Sequence, residues 1–387
     1  MKSKYVILLA ILLGSKALAN DGVFYAQGNQ LVPITETEIS VQKEILTVNR
    51  VGNHLDVDVY YEFFNPTDRA KDLLVGFEAA PAYPYEGMED FPEQPHMRHF
   101  KVLVNGRQLS YRIAHVSNGY YDEDADQWVE TPYYVDGKFK ALTRKQCEEA
   151  IAEYGEMSYP FNYVYHFNAR FQPGVNIVRH TYEYDMSMSV DQEFFFPYVL
   201  TAACRWAGGQ IGDFTLRVNM GDHESFAVEP TFFADAADWT IDGVGKAEEV
   251  EIYGEKQPMF HLREGSISFS RNNFRPEGEL RISKPQEVWS VWSYGEPVHG
   301  ADVVAASRGM YIDWSILLGE ELRFTDAEQR IMRNLPFAWR GYVFKSKDLQ
   351  KYFESTTWYI PDPDYVADME ALPEKEQAWI LFWSKYN

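Results

Sequence analysis

Residues 177–190 read Ile-Val-Arg-His-Thr-Tyr-Glu-Tyr-Asp-Met-Ser-Met-Ser-Val. Val178, His180, Tyr182, Tyr184, Met186, Met188 and Val190 share one parity, and Arg179, Thr181, Glu183, Asp185, Ser187 and Ser189 share the other. Only a backbone whose successive side chains point to opposite faces sorts residues in this way, so the stretch reads as a half-buried β-strand. Residues 213–220 repeat the pattern, with Phe214, Leu216, Val218 and Met220 opposite Thr215, Arg217 and Asn219. Residues 55–64 form another expected strand, stopped by Asn65-Pro66. Residues 100–113 read as a hairpin around Asn105-Gly106, a dipeptide that accepts the positive φ angles of a tight primed turn. Further strands are expected at 260–262, 266–270 and 279–283.

Aromatic residues make up 16% of the chain, most of them Tyr and Phe, which favours strands. One helix interrupts the β pattern. Thr143-Arg144-Lys145-Gln146 is a capping box, Leu142, Cys147, Ile151 and Tyr154 follow at helical spacing, and Gly155 ends the run. The expected fold is therefore mainly β: one or two antiparallel β-sandwich or jelly-roll-like units with a helical insertion, plus a small C-terminal α-helical module. The boundaries predicted are a signal peptide over 1–19, a β-sandwich unit over 20–118 and the insertion with its helix over 119–158. A second β-sandwich unit with a connector spans 159–318, and the helical module 319–387. A single large sandwich or jelly roll carrying the insertion stays open beside this division.

The first residues decide the compartment. Met1-Lys2-Ser3-Lys4 is a short positive start, residues 5–13 are apolar without a break, and Ala17-Leu18-Ala19 places small residues two apart. This order is that of a secretory signal cut between Ala19 and Asn20. The apolar run is well short of the ~20 residues that span a bilayer, and no later stretch reaches that length. A periplasmic or extracellular protein without a transmembrane segment is expected. Removing the segment takes away three lysines and no acid, so the formal charge of −22 becomes −25. Such a chain repels phosphate backbones and anionic lipid surfaces, which argues against nucleic acid as a partner. An oxidising compartment permits a disulfide between the two cysteines, Cys147 and Cys204, with two buried free thiols as the alternative.

The C-terminal part changes register. Thr325-Asp326-Ala327-Glu328 is a second capping box, and Ile331, Met332 and Leu335 form an apolar stripe ahead of Pro336. Ser346 is placed to cap a short helix with Leu349, Tyr352 and Phe353. A last helix is expected from Pro373 through Trp379, Phe382 and Trp383. The stretch Gly341-Tyr342-Val343-Phe344, with Leu349, Tyr352-Phe353 and Trp358-Tyr359, resembles a YARHG domain, a small module of exported bacterial proteins named for a Tyr-Ala-Arg-His-Gly motif. Here the motif reads Phe337-Ala338-Trp339-Arg340-Gly341, so Arg340 stands in place of the family's His. The resemblance implies an exported setting and no established activity. The body, with Asn20-Asp21-Gly22, residues 60–66 and the Trp206–Phe214 stretch, is similar to an uncharacterised exported family that opens with Asn-Asp-Gly. That similarity also implies no known chemistry.

No catalytic motif stands out. There is no Gly-x-Ser-x-Gly, no His-Glu-x-x-His and no phosphate loop, and Gly208-Gly209-x-x-Gly212 precedes a strand instead of following one. His96 and His99 lie in a Pro-containing segment, and Asp122, Asp124 and Asp126 lack the Gly and Glu of a calcium loop. No metal site and no cofactor are expected, and His180 reads as a hydrogen-bonded core residue. Aromatic residues in loops are the binding candidates: Tyr83, Tyr85, Tyr120, Tyr121, Trp128, Tyr133 and Tyr134 in the body, joined by Trp339, Arg340, Trp358 and Tyr359 of the module. Flat apolar rings with polar tips suit sugar rings or protein partners. The expectation is an exported cell-envelope protein that binds a glycan or an envelope protein without catalysis. A secreted hydrolase using paired carboxylates is the alternative.

Overall fold

The computed structural model describes residues 30–33, 38–79, 93–117, 119–122, 127–130, 134–136, 138–154, 161–186, 192–232, 236–252, 255–285 and 325–385. The predicted signal peptide, Tyr83, Tyr85, Tyr133, Asp124, Asp126 and the end of the 177–190 strand lie outside them. In chain order the first strands are β1 (Gln30–Pro33), β2 (Ser40–Val51), β3 (His54–Asn65), β4 (Lys71–Ala79), β5 (Met97–Val104), β6 (Arg107–Gln108) and β7 (Arg112–Val116). Two short hairpins follow, β8 (Gly119–Asp122) with β9 (Gln127–Glu130) and β10 (Tyr134–Val135) with β11 (Lys138–Phe139), then helix α1 (Arg144–Tyr154). Next come β12 (Asn162–Phe171), β13 (Gly174–Asp185), β14 (Gln192–Tyr198), β15 (Ile211–Asn219), β16 (Glu224–Val228), β17 (Trp239–Ile252), β18 (Glu255–Phe274) and β19 (Leu280–Pro285). Helices α2 (Asp326–Trp339), α3 (Lys347–Glu354) and α4 (Glu374–Lys385) come last.

The body is mainly β, as its alternation dictates. On β13, Val178, His180, Tyr182 and Tyr184 are buried, while Arg179 and Ile177 on the other parity are exposed. On β15, Phe214, Leu216 and Val218 are buried. The larger sheet has eleven strands in the order β14-β19-β16-β18-β15-β2-β3-β13-β5-β6, with β17 on β18, and the smaller runs β1-β4-β12-β7. The pairing of β2 with β15 is parallel, so the larger sheet is mixed, not purely antiparallel. The stretches expected as separate β units, 20–118 and 159–318, both lend strands to it, joined at β2/β15 and β3/β13. Among the described residues, no pairing closes either sheet into a barrel.

The Asn105-Gly106 turn forms as expected, with φ of 49° and 78°. Its return strand is only two residues long, however, and Arg112–Val116 crosses to the smaller sheet to pair with β12. The two sheets share one aromatic core. Phe77 of β4 packs 4.9 Å from Phe100 and 5.1 Å from His180, centroid to centroid, and Tyr165 of β12 lies 5.1 Å from Phe100. Strands remote in the order also meet there: Phe196 of β14 lies 5.6 Å from Tyr184, and the Tyr198 hydroxyl is 3.4 Å from that of Tyr61. His180 is a core residue as expected, but neither ring nitrogen has a protein hydrogen-bond partner.

Both capping boxes form. Gln146 N–H donates to Thr143 Oγ1 at 3.3 Å while Thr143 N–H donates to the Gln146 side chain at 2.9 Å, and Thr325 and Glu328 do the same at the start of α2. Pro336 does not end α2, which continues through it to Trp339. A proline inside a helix removes one N–H and leaves the carbonyl four residues earlier without its usual donor. That carbonyl, Met332 O, accepts instead from the buried Trp379 indole N–H of α4 at 2.6 Å. Trp379→Phe keeps an aromatic ring and removes this donor, so it is expected to lower module stability by about 1–3 kcal/mol. Calorimetry would show it, and an unchanged module transition would count against this account. Ser346 occupies the position before α3 but makes no side-chain cap bond, and Pro373 lies just ahead of α4, its carbonyl accepting from the Glu376 and Gln377 N–H groups. Among the described residues, no helix is long and apolar enough to cross a membrane.

Candidate functional site

A polar face runs across three neighbouring strands. Ser225 on β16 pairs directly with His261 on β18, and His261 pairs on its other side with Lys246 on β17. Directly paired residues share a face, as do residues two apart on a strand, so Arg263 and Glu248 join them. Ser225 Oγ lies 2.8 Å from His261 Nδ1, and His261 Nε2 lies 2.7 Å from Glu248 Oε1. The Glu248 carboxylate can only accept, so it holds the proton on Nε2 and leaves Nδ1 to accept from the Ser225 hydroxyl. His261 is 7% exposed, while Ser225 and Glu248 on either side of it are partly exposed. On the opposite parity Glu224 is buried between Arg50 Nη1 and Lys284 Nζ, each 2.9 Å from a carboxylate oxygen. Its Oε1 also accepts the Ser225 N–H at 3.0 Å.

The C-terminal module lies over this face. Three cationic or imidazole side chains of the body donate to its backbone carbonyls: His223 Nδ1 to Trp339 O at 3.1 Å, Lys246 Nζ to Tyr359 O at 3.0 Å, and Arg263 Nη1 to Pro361 O at 3.4 Å. Arg263 also lies 3.8 Å from the Asp362 carboxylate. Desolvation at this junction lowers the pKa of Lys246, partly offset by Glu248. Between body and module is a narrow cleft, open on one side, with room inside for little more than a water molecule (about 20 Å³), lined by His223, Ser225, His261, Arg263, Trp339 and Trp358 among others. The two indoles lie 6.5 Å apart.

The module has its own core of Met332, Leu335, Phe353, Trp358, Tyr359, Trp379 and Trp383. Residues 321–387 match the YARHG domain family. The module is a YARHG domain. Arg340, in place of the family's His, donates to Pro336 O at 2.8 Å and pairs with Glu376, joining α2 to α4. No curated protein sequence matches the chain. Among solved structures, a "putative nutrient binding protein" from Legionella pneumophila subsp. pneumophila str. Philadelphia 1 aligns over 92% of this chain and 97% of its own, at 17% identity and a TM-score of 0.49. A two-domain M1 zinc metallopeptidase bound to L-tryptophan aligns over 66% of this chain and 44% of its own, at 12% identity and a TM-score of 0.24. Leukotriene A4 hydrolase from Saccharomyces cerevisiae aligns over 68% and 31%, at 7% identity and a TM-score of 0.28. Likenesses this slight carry none of those proteins' activities to this chain.

Of the residues singled out in the sequence, Trp339 and Trp358 line the cleft. Arg340 is committed to Glu376, and Tyr359 is buried, its hydroxyl donating to Tyr342 O at 2.8 Å. Tyr120 and Tyr121 lie on β8 opposite Val129 and Trp128 of β9, and Tyr134 on β10 packs 5.1 Å from Phe139. The cysteines are two free thiols, not a disulfide. Cys147 is buried, which pushes its pKa up to about 11, and the Cys204 thiol lies 3.7 Å from Pro276 O. His96 and His99 also part: His96 is half-buried near Tyr184, while His99 turns outward to Glu183 at 2.8 Å. His54, Asp56 and Glu183 bring donor atoms within 4.8 Å of one another at the surface, where Arg98 and His99 also approach Glu183.

The relay residues escaped sequence reading. Ser225, Glu248 and His261 stand in three separate strands with no motif linking them. The one local signal is a polar residue at every second position, in His223-Glu-Ser225, Lys246-Ala-Glu248 and His261-Leu-Arg263.

Proposed function

We propose that the chain is an exported cell-envelope protein that binds a glycan at the cleft between its β body and its YARHG domain. The observation that carries this reading is the convergence there of Trp339 and Trp358 with Ser225, His261 and Arg263. The half-buried Trp339 indole suits the apolar face of a sugar ring, with the buried Trp358 behind it, and hydroxyl, imidazole and guanidinium groups suit the ring's hydroxyls. The cleft is narrow and far below the extent of a protein–protein interface, so a glycan resting at its mouth is favoured over an envelope protein. Export rests on the positive, apolar and small-residue order of residues 1–19.

The test is retention of the chain from Asn20 onward on peptidoglycan and on envelope polysaccharide. Trp339 is half-buried and borders the cleft, so Trp339→Ala is expected to weaken retention by about tenfold or more, as loss of an aromatic anchor does. Equal retention of the two proteins, both folded, would exclude the cleft as the glycan site. Cell fractionation checks export: the full-length chain retained in the cytoplasm would refute it.

A further inference from the structure

We propose that Ser225 is a nucleophile and that the cleft hydrolyses short-chain O-acyl esters carried on its glycan. The proposal rests on the reading of the cleft as the ligand site and adds a reaction to it. Ser225, His261 and Glu248 hold the three positions that activate a hydroxyl: the nucleophile 2.8 Å from an imidazole nitrogen, and the other nitrogen 2.7 Å from a carboxylate. Nδ1 faces the nucleophile and Nε2 the carboxylate, an orientation as competent as its reverse because either nitrogen can take the proton when the other is held by an acceptor. Ser225, which is only half-buried, and His261 both border the cleft, so the hydroxyl faces the side from which a small acyl group would approach.

The balance of the reaction is closed by water alone. Ser225 Oγ attacks the acyl carbon while His261 Nδ1 takes the hydroxyl proton, and the carbonyl electron pair moves onto oxygen. Glu248 stabilises the imidazolium formed. Collapse breaks the bond to the sugar oxygen, which leaves with the proton from His261. Water then attacks the acyl-serine, its proton passing through the same imidazole, and a carboxylic acid is released with Ser225 restored. No electron changes hands beyond these pairs.

Two features narrow the substrate. The N–H of Ser225, placed next to the nucleophile and a natural donor to the oxyanion, is engaged by Glu224 Oε1. Oxyanion support is then left to Arg263, which lines the same cleft with its guanidinium already shared among Pro361 O, Glu264 and Asp362. A single side-chain donor favours an ester, with its better leaving group, over an amide. The cleft is too narrow for a sugar ring, which leaves the sugar at its mouth and limits the acyl group that approaches Ser225 to a short chain such as acetyl.

The experiment uses the chain from Asn20 onward, a fluorophosphonate probe read out by peptide mass spectrometry, and acetyl against octanoyl nitrophenyl esters. The expected result is a probe adduct on Ser225, absent in Ser225→Ala, and acetyl ester hydrolysis at least about 100-fold slower in Ser225→Ala and in His261→Ala. Glu248→Gln, which keeps a hydrogen bond to the ring, is expected to lower the rate while the protein still binds glycan. Wild-type hydrolysis in folded Ser225→Ala, or a folded wild type that takes no adduct, would overturn the proposal. Glycan retention by the same samples separates the two readings. Retention lost in Trp339→Ala with no adduct on Ser225 leaves a binding cleft without chemistry, and retention unaffected by Trp339→Ala removes the ligand site on which the ester reading rests.

Discussion

Gly341→Ala is expected to unfold the YARHG domain while the β body stays folded. Gly341 has φ of +79°, a region that costs an L-residue roughly 1–2 kcal/mol. A Cβ built there would meet Ile360 O at 2.4 Å and Asp362 N at 2.8 Å, both backbone atoms that cannot swing aside. The close approach is itself structural: Asp362 N–H donates to Gly341 O at 2.7 Å, and Tyr342 bridges to Asp362, tying the end of α2 to the segment after α3. Overpacking of this kind costs a further ~1–3 kcal/mol. The expected loss of about 2–5 kcal/mol approaches, at its upper end, the whole stability a domain of this size carries. Differential scanning calorimetry of the full chain should show the domain transition lost or moved down by at least about 10 °C, with the body transition in place. A domain transition within about 2 °C of the wild type would sink this account. The same substitution should loosen the cleft, since Trp339 and Trp358 flank the Gly341 contact in sequence and are positioned by the domain core.

What the sequence disclosed was local. Alternation in residues 178–184 and 214–218 identified buried strand faces, the capping boxes at Thr143 and Thr325 located two helix starts, and Asn105-Gly106 located a turn. Each depends on neighbours within a few residues. Which sheet a strand joins does not, and β6 and β7 show the consequence: one apparent hairpin arm is divided between two sheets. Pro336 depends on distant residues in the same way. Its conflict with helix geometry is local, but the donor that resolves it, Trp379, lies 47 positions away. The relay is the extreme case, because Ser225 and His261 are 36 residues apart and become neighbours only through the register of β16 with β18. The aromatic signal was half legible. It pointed to Trp339 and Trp358, which border the cleft, and equally to Tyr359 and Arg340, whose polar atoms are committed within the domain.

His180→Phe is expected to remove most of an acid sensitivity built into the body. The imidazole is enclosed by Tyr61 of β3, Phe77 of β4, Phe100 of β5 and Tyr182 of its own strand, rings that offer no counter-charge. Burial therefore lowers its pKa from 6.5 to about 3. In the unfolded chain the same ring takes a proton near pH 6.5. Between these two values the unfolded chain binds one proton more than the folded one, so acid favours unfolding. The stability contributed by the neutral ring is fully present above pH 6.5, falls by up to about 1.4 kcal/mol per pH unit as the pH drops, and levels off below about 3. Phenylalanine fits an aromatic nest, carries no titrating group and removes two ring nitrogens that have no protein partner. Urea unfolding of both proteins at pH 7.5, 6.0, 5.0 and 4.5 should give curves that diverge as the pH falls, with the variant ahead by about 2 kcal/mol or more at the lowest point. His96 and His166, whose pKa values burial also lowers, are present in both proteins and cancel in the difference. Parallel stability–pH curves would show that the folded ring takes up its proton as readily as the unfolded one. The enclosed core would then have to open to water around His180 well above the pH at which the body unfolds.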